Sequence, residues 1–107
     1  MPTVKLHLPP ANSIAALHLC EVARETSLPD YSEIAAALEA TGALLDASIA
    51  VRMGATLVTV TASEPALTLV ARACRRRISE TYRDCPAIPV LLAIALGCEA
   101  AVEAKAA

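Results

Sequence analysis

Residues 28–62 place the strongest limits on the fold, because helix and strand signals follow one another there within a short distance. Pro29 breaks the preceding segment, and apolar residues then recur with helical spacing, as at Ile34 and Leu38. Gly42 stands where the left-handed end of a helix is expected. The pattern therefore predicts an amphipathic helix that ends at Gly42.

Two extended segments are predicted to follow this helix. Residues 43–52 and 55–62 flank Met53 and Gly54, and the second segment is rich in β-branched side chains, which favour strands. A glycine between two such segments supplies the positive φ that a tight turn requires. The sequence thus predicts a β-hairpin with its turn at Gly54.

The flanking parts of the chain complete an alternating pattern. Residues 3–8 alternate apolar and polar side chains, which indicates a half-buried strand. Residues 64–84 have helical spacing behind a Ser63 cap, and the continuous apolar run 89–96 favours a buried strand, although a buried helix has the same pattern. The remainder, 98–107, is expected to be a short helix or tail.

Taken in order, these elements predict an α+β fold with the βαββαβ arrangement, a two-layer sandwich. Two helices would cover one face of a four-stranded sheet. The chain of 107 residues is long enough for one domain, 1–107. One alternative concerns the first strand: if it lies at 14–20 rather than 3–8, residues 1–12 form an extension.

Composition limits the partners. Apolar residues make up 56% of the chain, and the sequence has two Tyr but neither Phe nor Trp, so small aliphatic side chains must fill the core. Such an apolar surplus on a small domain favours a homo-oligomer. The net charge of −2 argues against a nucleic-acid or membrane-surface partner.

Several further expectations follow from what the sequence lacks. No uninterrupted apolar run reaches the roughly 18 residues of a membrane span, and no signal peptide is visible, so a cytoplasmic location is expected. The four cysteines do not form the close pairs typical of zinc sites, so reduced, buried thiols are expected. Neither a metal nor a cofactor is predicted.

An arginine cluster lies on the predicted helix 64–84. Its members are Arg72, Arg75, Arg76, Arg77 and Arg83. Phosphate binding is one interpretation of this cluster. A solvated helix face is favoured instead, because acidic residues interleave with the arginines and Tyr82 is the sole aromatic residue nearby.

The start of the chain, Met1-Pro2, offers one candidate for catalysis. Removal of the initiator methionine before proline leaves a secondary amine at the N-terminus. An α-amino group has a pKa near 8 that burial or a nearby cation lowers, so Pro2 could act as a general base near neutral pH.

A family resemblance develops this hypothesis. The chain resembles the 5-carboxymethyl-2-hydroxymuconate isomerases of the tautomerase superfamily in the segment around the predicted first helix and second strand. The residues that carry the resemblance are Leu28-Pro29, Leu38, Ala40-Thr41-Gly42, Ile49 and Arg52.

The resemblance implies a cofactor-free tautomerase or isomerase. Pro2 would move a proton on an unsaturated keto acid, and Arg52 would hold a carboxylate of this small substrate or stabilise the dienolate oxygen. It also implies a homotrimer. The chain departs from the family in having Ala50 in place of one of its paired arginines, and in a longer gap after Pro2. The alternative hypothesis is a non-catalytic, oligomeric, ferredoxin-like interaction module.

Overall fold

In the computed structural model, which describes residues 3–7, 21, 34–55, 57–85 and 87–106, the chain forms two strands and three long helices. Their order is β1 (Thr3–His7), α1 (Ile34–Arg52), β2 (Leu57–Thr61), α2 (Glu64–Glu80) and α3 (Ile88–Ala106). Within the described ranges the protein is therefore mainly helical.

The two strands pair in an antiparallel sheet. The register runs from Thr3 opposite Thr61 to His7 opposite Leu57. Val4 lies opposite Val60, and both are buried, as period-two alternation requires when one face of a sheet packs on the core. A strand within 3–8 is thus confirmed, whereas the alternative at 14–20 lies outside the described residues.

The helices pack around α2. Helix α1 packs against β2, α3 packs against β1, and α2 packs against both α1 and α3. Because only residues 81–87 join α2 to α3, these two helices form an antiparallel hairpin. The buried positions of α2 form a broad stripe that serves both neighbours, namely Ala66, Leu67, Val70, Ala71, Ala73 and Cys74.

The core contains small and aliphatic side chains from all five elements. Alanine supplies many of the positions, so helix backbones can lie close together. The largest fully buried side chains are Leu44, Leu67, Leu91, Ile94, Val51, Val70, Val90, Cys74 and Cys98.

The prediction of a four-stranded sheet covered by two helices is wrong, and residues 43–52 are one reason. They continue α1 through Gly42 to Arg52 instead of forming a strand. In helical form this segment buries Leu44, Ala47 and Val51, which share one face, and this burial outweighs the roughly 1 kcal/mol that an interior glycine costs.

Gly54, rather than Gly42, ends α1. The N–H of Gly54 donates to the carbonyl of Val51 at 3.0 Å, and the N–H of Ala55 donates to that of Ala50 at 3.1 Å. This pair of bonds is the Schellman motif, and Gly54 has the φ of 103° that the motif requires. The predicted positive φ is confirmed, but the predicted hairpin is wrong, because the turn joins a helix to a strand.

Residues 89–96 are the second reason that the predicted sheet is wrong. They belong to α3, and the segment 98–107, expected to be a short helix or tail, continues the same helix as far as Ala106. The buried residues Val90, Leu91, Ile94 and Cys98 recur at helical spacing. Pro89 fits there because the first turn of a helix needs no N–H donor at that position.

The predicted helix at 64–84 is confirmed, although it ends at Glu80. A carboxylate of α1, that of Glu39, binds the N-terminus of α2. The N–H and the hydroxyl of Ser63, the N-cap residue, each donate to Glu39 at 2.7 Å. The negative charge of Glu39 also lies at the positive end of the α2 dipole. This contact therefore fixes α1 relative to α2.

Replacement of a buried leucine of α3 should reveal the contribution of core packing. Leu91 is 1% exposed, so Leu91→Ala should lower the free energy of unfolding by about 2–5 kcal/mol through lost contacts and a cavity. Leu96 on the same helix is 50% exposed, and Leu96→Ala should cost less than about 1 kcal/mol. Urea denaturation measures both; equal losses would contradict the orientation of α3.

Acid should weaken the contact between Glu39 and Ser63. The hydrogen bond from the Ser63 hydroxyl, followed by that from its N–H, lowers the pKa of Glu39 below its ordinary value of 4.5. A group whose pKa is lower in the folded state contributes its full stability above its unfolded pKa and loses it as the pH falls through the folded pKa.

We therefore expect Glu39→Gln to lower the free energy of unfolding at pH 7 by about 0.5–2 kcal/mol, as the loss of a helix cap does. The difference from the wild type should shrink steadily below the ordinary value of 4.5. Denaturant titrations at a series of pH values measure this trend. The matched control is Glu80→Gln, which replaces an exposed glutamate on α2. If the difference in unfolding free energy between the wild type and Glu39→Gln does not change with pH, Glu39 does not act as a charged cap.

Candidate functional site

Of the two residues of the predicted catalytic site, the structure describes Arg52. Arg52 lies exposed in the last turn of α1, where its charge complements the helix dipole, and not on a strand as predicted. Pro2 lies outside the described residues. Thr3, which follows Pro2, pairs with Thr61 at one end of the sheet.

The opposite end of the sheet is the one that adjoins Arg52. The chain passes from α1 through the turn at Gly54 into Leu57, which pairs with His7. Four residue steps of a strand, about 13 Å, separate the Leu57 end from the Thr61 end. The strand that carries the N-terminus therefore begins at the far end of the sheet from α1's last turn.

Three thiols are described, and their environments differ. Burial raises the pKa of Cys98 to about 12, so this thiol stays protonated at neutral pH. The pKa of Cys85 is lowered, first by a hydrogen bond from the Thr81 hydroxyl and then by one from the Ala87 N–H. Cys74 is buried in the core. Among the described residues, no group of three or more His, Cys, Asp or Glu could hold a metal ion.

The most distinctive surface is an uncharged strip along α1. Leu38 is 68% exposed, Leu45 43% and Ile49 59%, and exposed Gly42 lies between the first two. We call Leu38, Gly42, Leu45 and Ile49 the α1 seam. At 100° per residue, these positions fall within about 60° of one another around the helix. Ile34 and Met53, also exposed, lie near its two ends.

The seam has the spacing of a coiled-coil contact. Successive positions are separated by four, three and four residues, which is the alternation that presents side chains to a second helix. A Cβ atom placed on Gly42 would meet nothing within 4 Å, so the surface above this glycine is open. A second helix could approach closely there.

The α1 seam is separate from the core face of the same helix. The buried positions of α1, represented by Ala40, Leu44 and Val51, centre about 140° away from the seam. The carboxylate of Glu39 accepts hydrogen bonds from the N–H and the hydroxyl of Ser63. Helix α1 is consequently apolar on two faces, only one of which the described residues cover.

By length and composition, α1 could also cross a membrane. The sequence has no uninterrupted apolar run of that length here, because Glu39, Thr41 and Asp46 interrupt the apolar residues of α1. A core helix and a signal sequence meet the same criteria, and a third of this segment is buried inside the protein. The expected cytoplasmic location stays a prediction.

Comparisons with known proteins give no relatives: no family model, no curated protein and no solved structure matches this chain. The tautomerase resemblance, the isomerase activity and the homotrimer therefore have no support from these comparisons. The four-stranded sheet on which that fold depends is absent from the described residues.

The sequence analysis missed the α1 seam because it ended the helix at Gly42. Leu38 and Leu45 are seven residues apart and Ile49 follows four residues later, so the signal was present. Treating Gly42 as a helix terminus divided the seam between a helix and a strand, and the spacing could not be recognised.

The thiols should differ in reactivity. Cys85 is half-buried with a lowered pKa, whereas Cys98 is 2% exposed with a pKa raised to about 12. Because the thiolate is the nucleophile, iodoacetamide near pH 7.5 should alkylate Cys85 at least about tenfold faster than Cys98. Peptide mass spectrometry measures each rate, and denaturant should abolish the difference. Equal rates in the native protein would contradict these environments.

Proposed function

We propose that this protein is a homo-oligomeric interaction module in which the α1 seam of one copy pairs with the seam of another. The observation that carries the proposal is the exposure of Leu38, Leu45 and Ile49 in a single line along one helix. Exposed apolar residues scattered singly are ordinary, but a contiguous strip on a small protein is typical of an interface.

The chemistry of the seam favours a second copy as the partner. The seam contains three aliphatic residues and a glycine, so its own four positions carry no charge. Two copies related by a two-fold axis place the same surface on each side of the interface. Alternating spacings of three and four let side chains from the two helices interdigitate.

The size of the strip fits a weak, reversible association, because stable specific interfaces bury about 800 Å² on each partner. A helix of 19 residues is about 28 Å long and about 10 Å wide. Its exposed face therefore covers on the order of 300 Å², similar to the largest apolar patch of a typical monomer. Met53, which is 84% exposed directly after α1, would add to the contact area.

This proposal keeps one part of the alternative hypothesis, a non-catalytic, oligomeric interaction module. It does not keep the ferredoxin-like sheet. Arg52 takes no catalytic role in the proposal.

Light scattering combined with sedimentation over a concentration series tests the proposal. The wild type should associate reversibly. Leu38→Glu and Ile49→Glu should each raise the dissociation constant by at least about 30-fold, the effect of losing roughly 2 kcal/mol at the centre of an interface. Circular dichroism should show unchanged helix content, because both side chains project into solvent.

Two further variants control the experiment. Leu96→Glu places the same charge at a residue that is 50% exposed on α3, and it should leave the dissociation constant unchanged. Gly42→Trp should keep the monomer folded, because the space above Gly42 is open, but should block close approach of a second helix. A wild type that is monomeric throughout, or an equal effect of Leu96→Glu, would disprove pairing through the seam.

A further inference from the structure

A groove between α2 and α3 forms a second surface of different chemistry. It has a volume of about 500 Å³, and its floor is formed by Ala71, Cys98 and Val102. This volume lies within the range of small-molecule sites, which combine a mostly apolar lining with a few charged groups. None of the lining residues belongs to the α1 seam.

Charged side chains line the two edges of the groove asymmetrically. Arg75 of α2 binds Glu99 of α3 through two hydrogen bonds of 2.7 and 3.1 Å, so these opposite charges compensate each other. Arg72 and Arg76 also line the α2 edge, and Glu103 also lines the α3 edge. Three arginines against two glutamates leave a net charge of +1 around the groove.

The floor of the groove stays neutral at physiological pH. Cys98 is 2% exposed, and burial raises its pKa to about 12, so its thiol contributes as a small apolar group. The floor can therefore cover an alkyl chain, while Arg76, which is exposed on the α2 edge, can reach an anionic head group.

We propose that this groove binds a free medium-chain carboxylate, with its alkyl chain along Ala71 and Val102 and its carboxylate at Arg76. Arginine suits this role because its guanidinium can donate two parallel hydrogen bonds to one carboxylate. The proposal is independent of the α1 seam.

Isothermal titration calorimetry with decanoate, below its micelle concentration, tests the proposal. The wild type should bind decanoate, and Arg76→Glu should weaken binding by at least about tenfold, because it reverses the charge at the head-group position. Val102→Glu should weaken binding similarly by placing a charge beside the alkyl chain. Arg83→Glu makes the same charge reversal at an exposed residue outside the groove, and it should have no effect.

Two comparisons distinguish the groove from other apolar surfaces. Decyltrimethylammonium has the same alkyl chain with a cationic head, and it should bind at least about tenfold more weakly than decanoate if arginine recognises the head group. Leu38→Glu disrupts the α1 seam and should leave decanoate binding unchanged. The proposal is overturned by absence of decanoate binding, by equal binding of the two amphiphiles, by loss of binding in Leu38→Glu, or by an equal effect of Arg83→Glu.

Discussion

The packing of α2 against α1 and α3 at the same time is the constraint on which the rest of the structure depends. No large aromatic side chain contributes to the described core, so contacts among Ala, Val and Leu must hold three helices together. Such side chains fill the core only where helix backbones lie close, which α2 achieves with small residues such as Ala66 and Ala73. Glu39 adds a directional contact between α1 and the start of α2.

The composition of α1 also depends on this core, because one face of the helix is buried in it. One of its faces supplies Leu44 and Val51 to the interior, and the seam on the far side of the helix is also apolar, so the helix lacks the broad polar face of an ordinary surface helix. This explains why α1 has the composition of a membrane span although it packs on β2 and α2. Self-association would remove the seam from water and lower the free energy of the exposed face.

The two proposed surfaces differ in the interactions they offer. The α1 seam is uncharged and matches another helix, so its recognition depends on shape and apolar burial. The groove between α2 and α3 combines an apolar floor with arginines such as Arg76, so the charge of the head group determines which amphiphile it accepts. The antiparallel α2–α3 hairpin creates the groove, and neither helix would form it alone.

Local signals were enough to predict β1, β2, α2 and the positive φ of Gly54, namely alternation, β-branched residues and a Ser-x-Pro helix start. The helical conformation of 43–52 and 89–96, in contrast, depends on packing against the rest of the protein. A continuous apolar segment suits a buried strand or a buried helix equally, and the choice depends on what lies against it. Here the neighbours are helices and a two-stranded sheet, whose contacts bury Leu44 and Leu91 at helical spacing and leave Leu38 and Ile49 exposed as the seam.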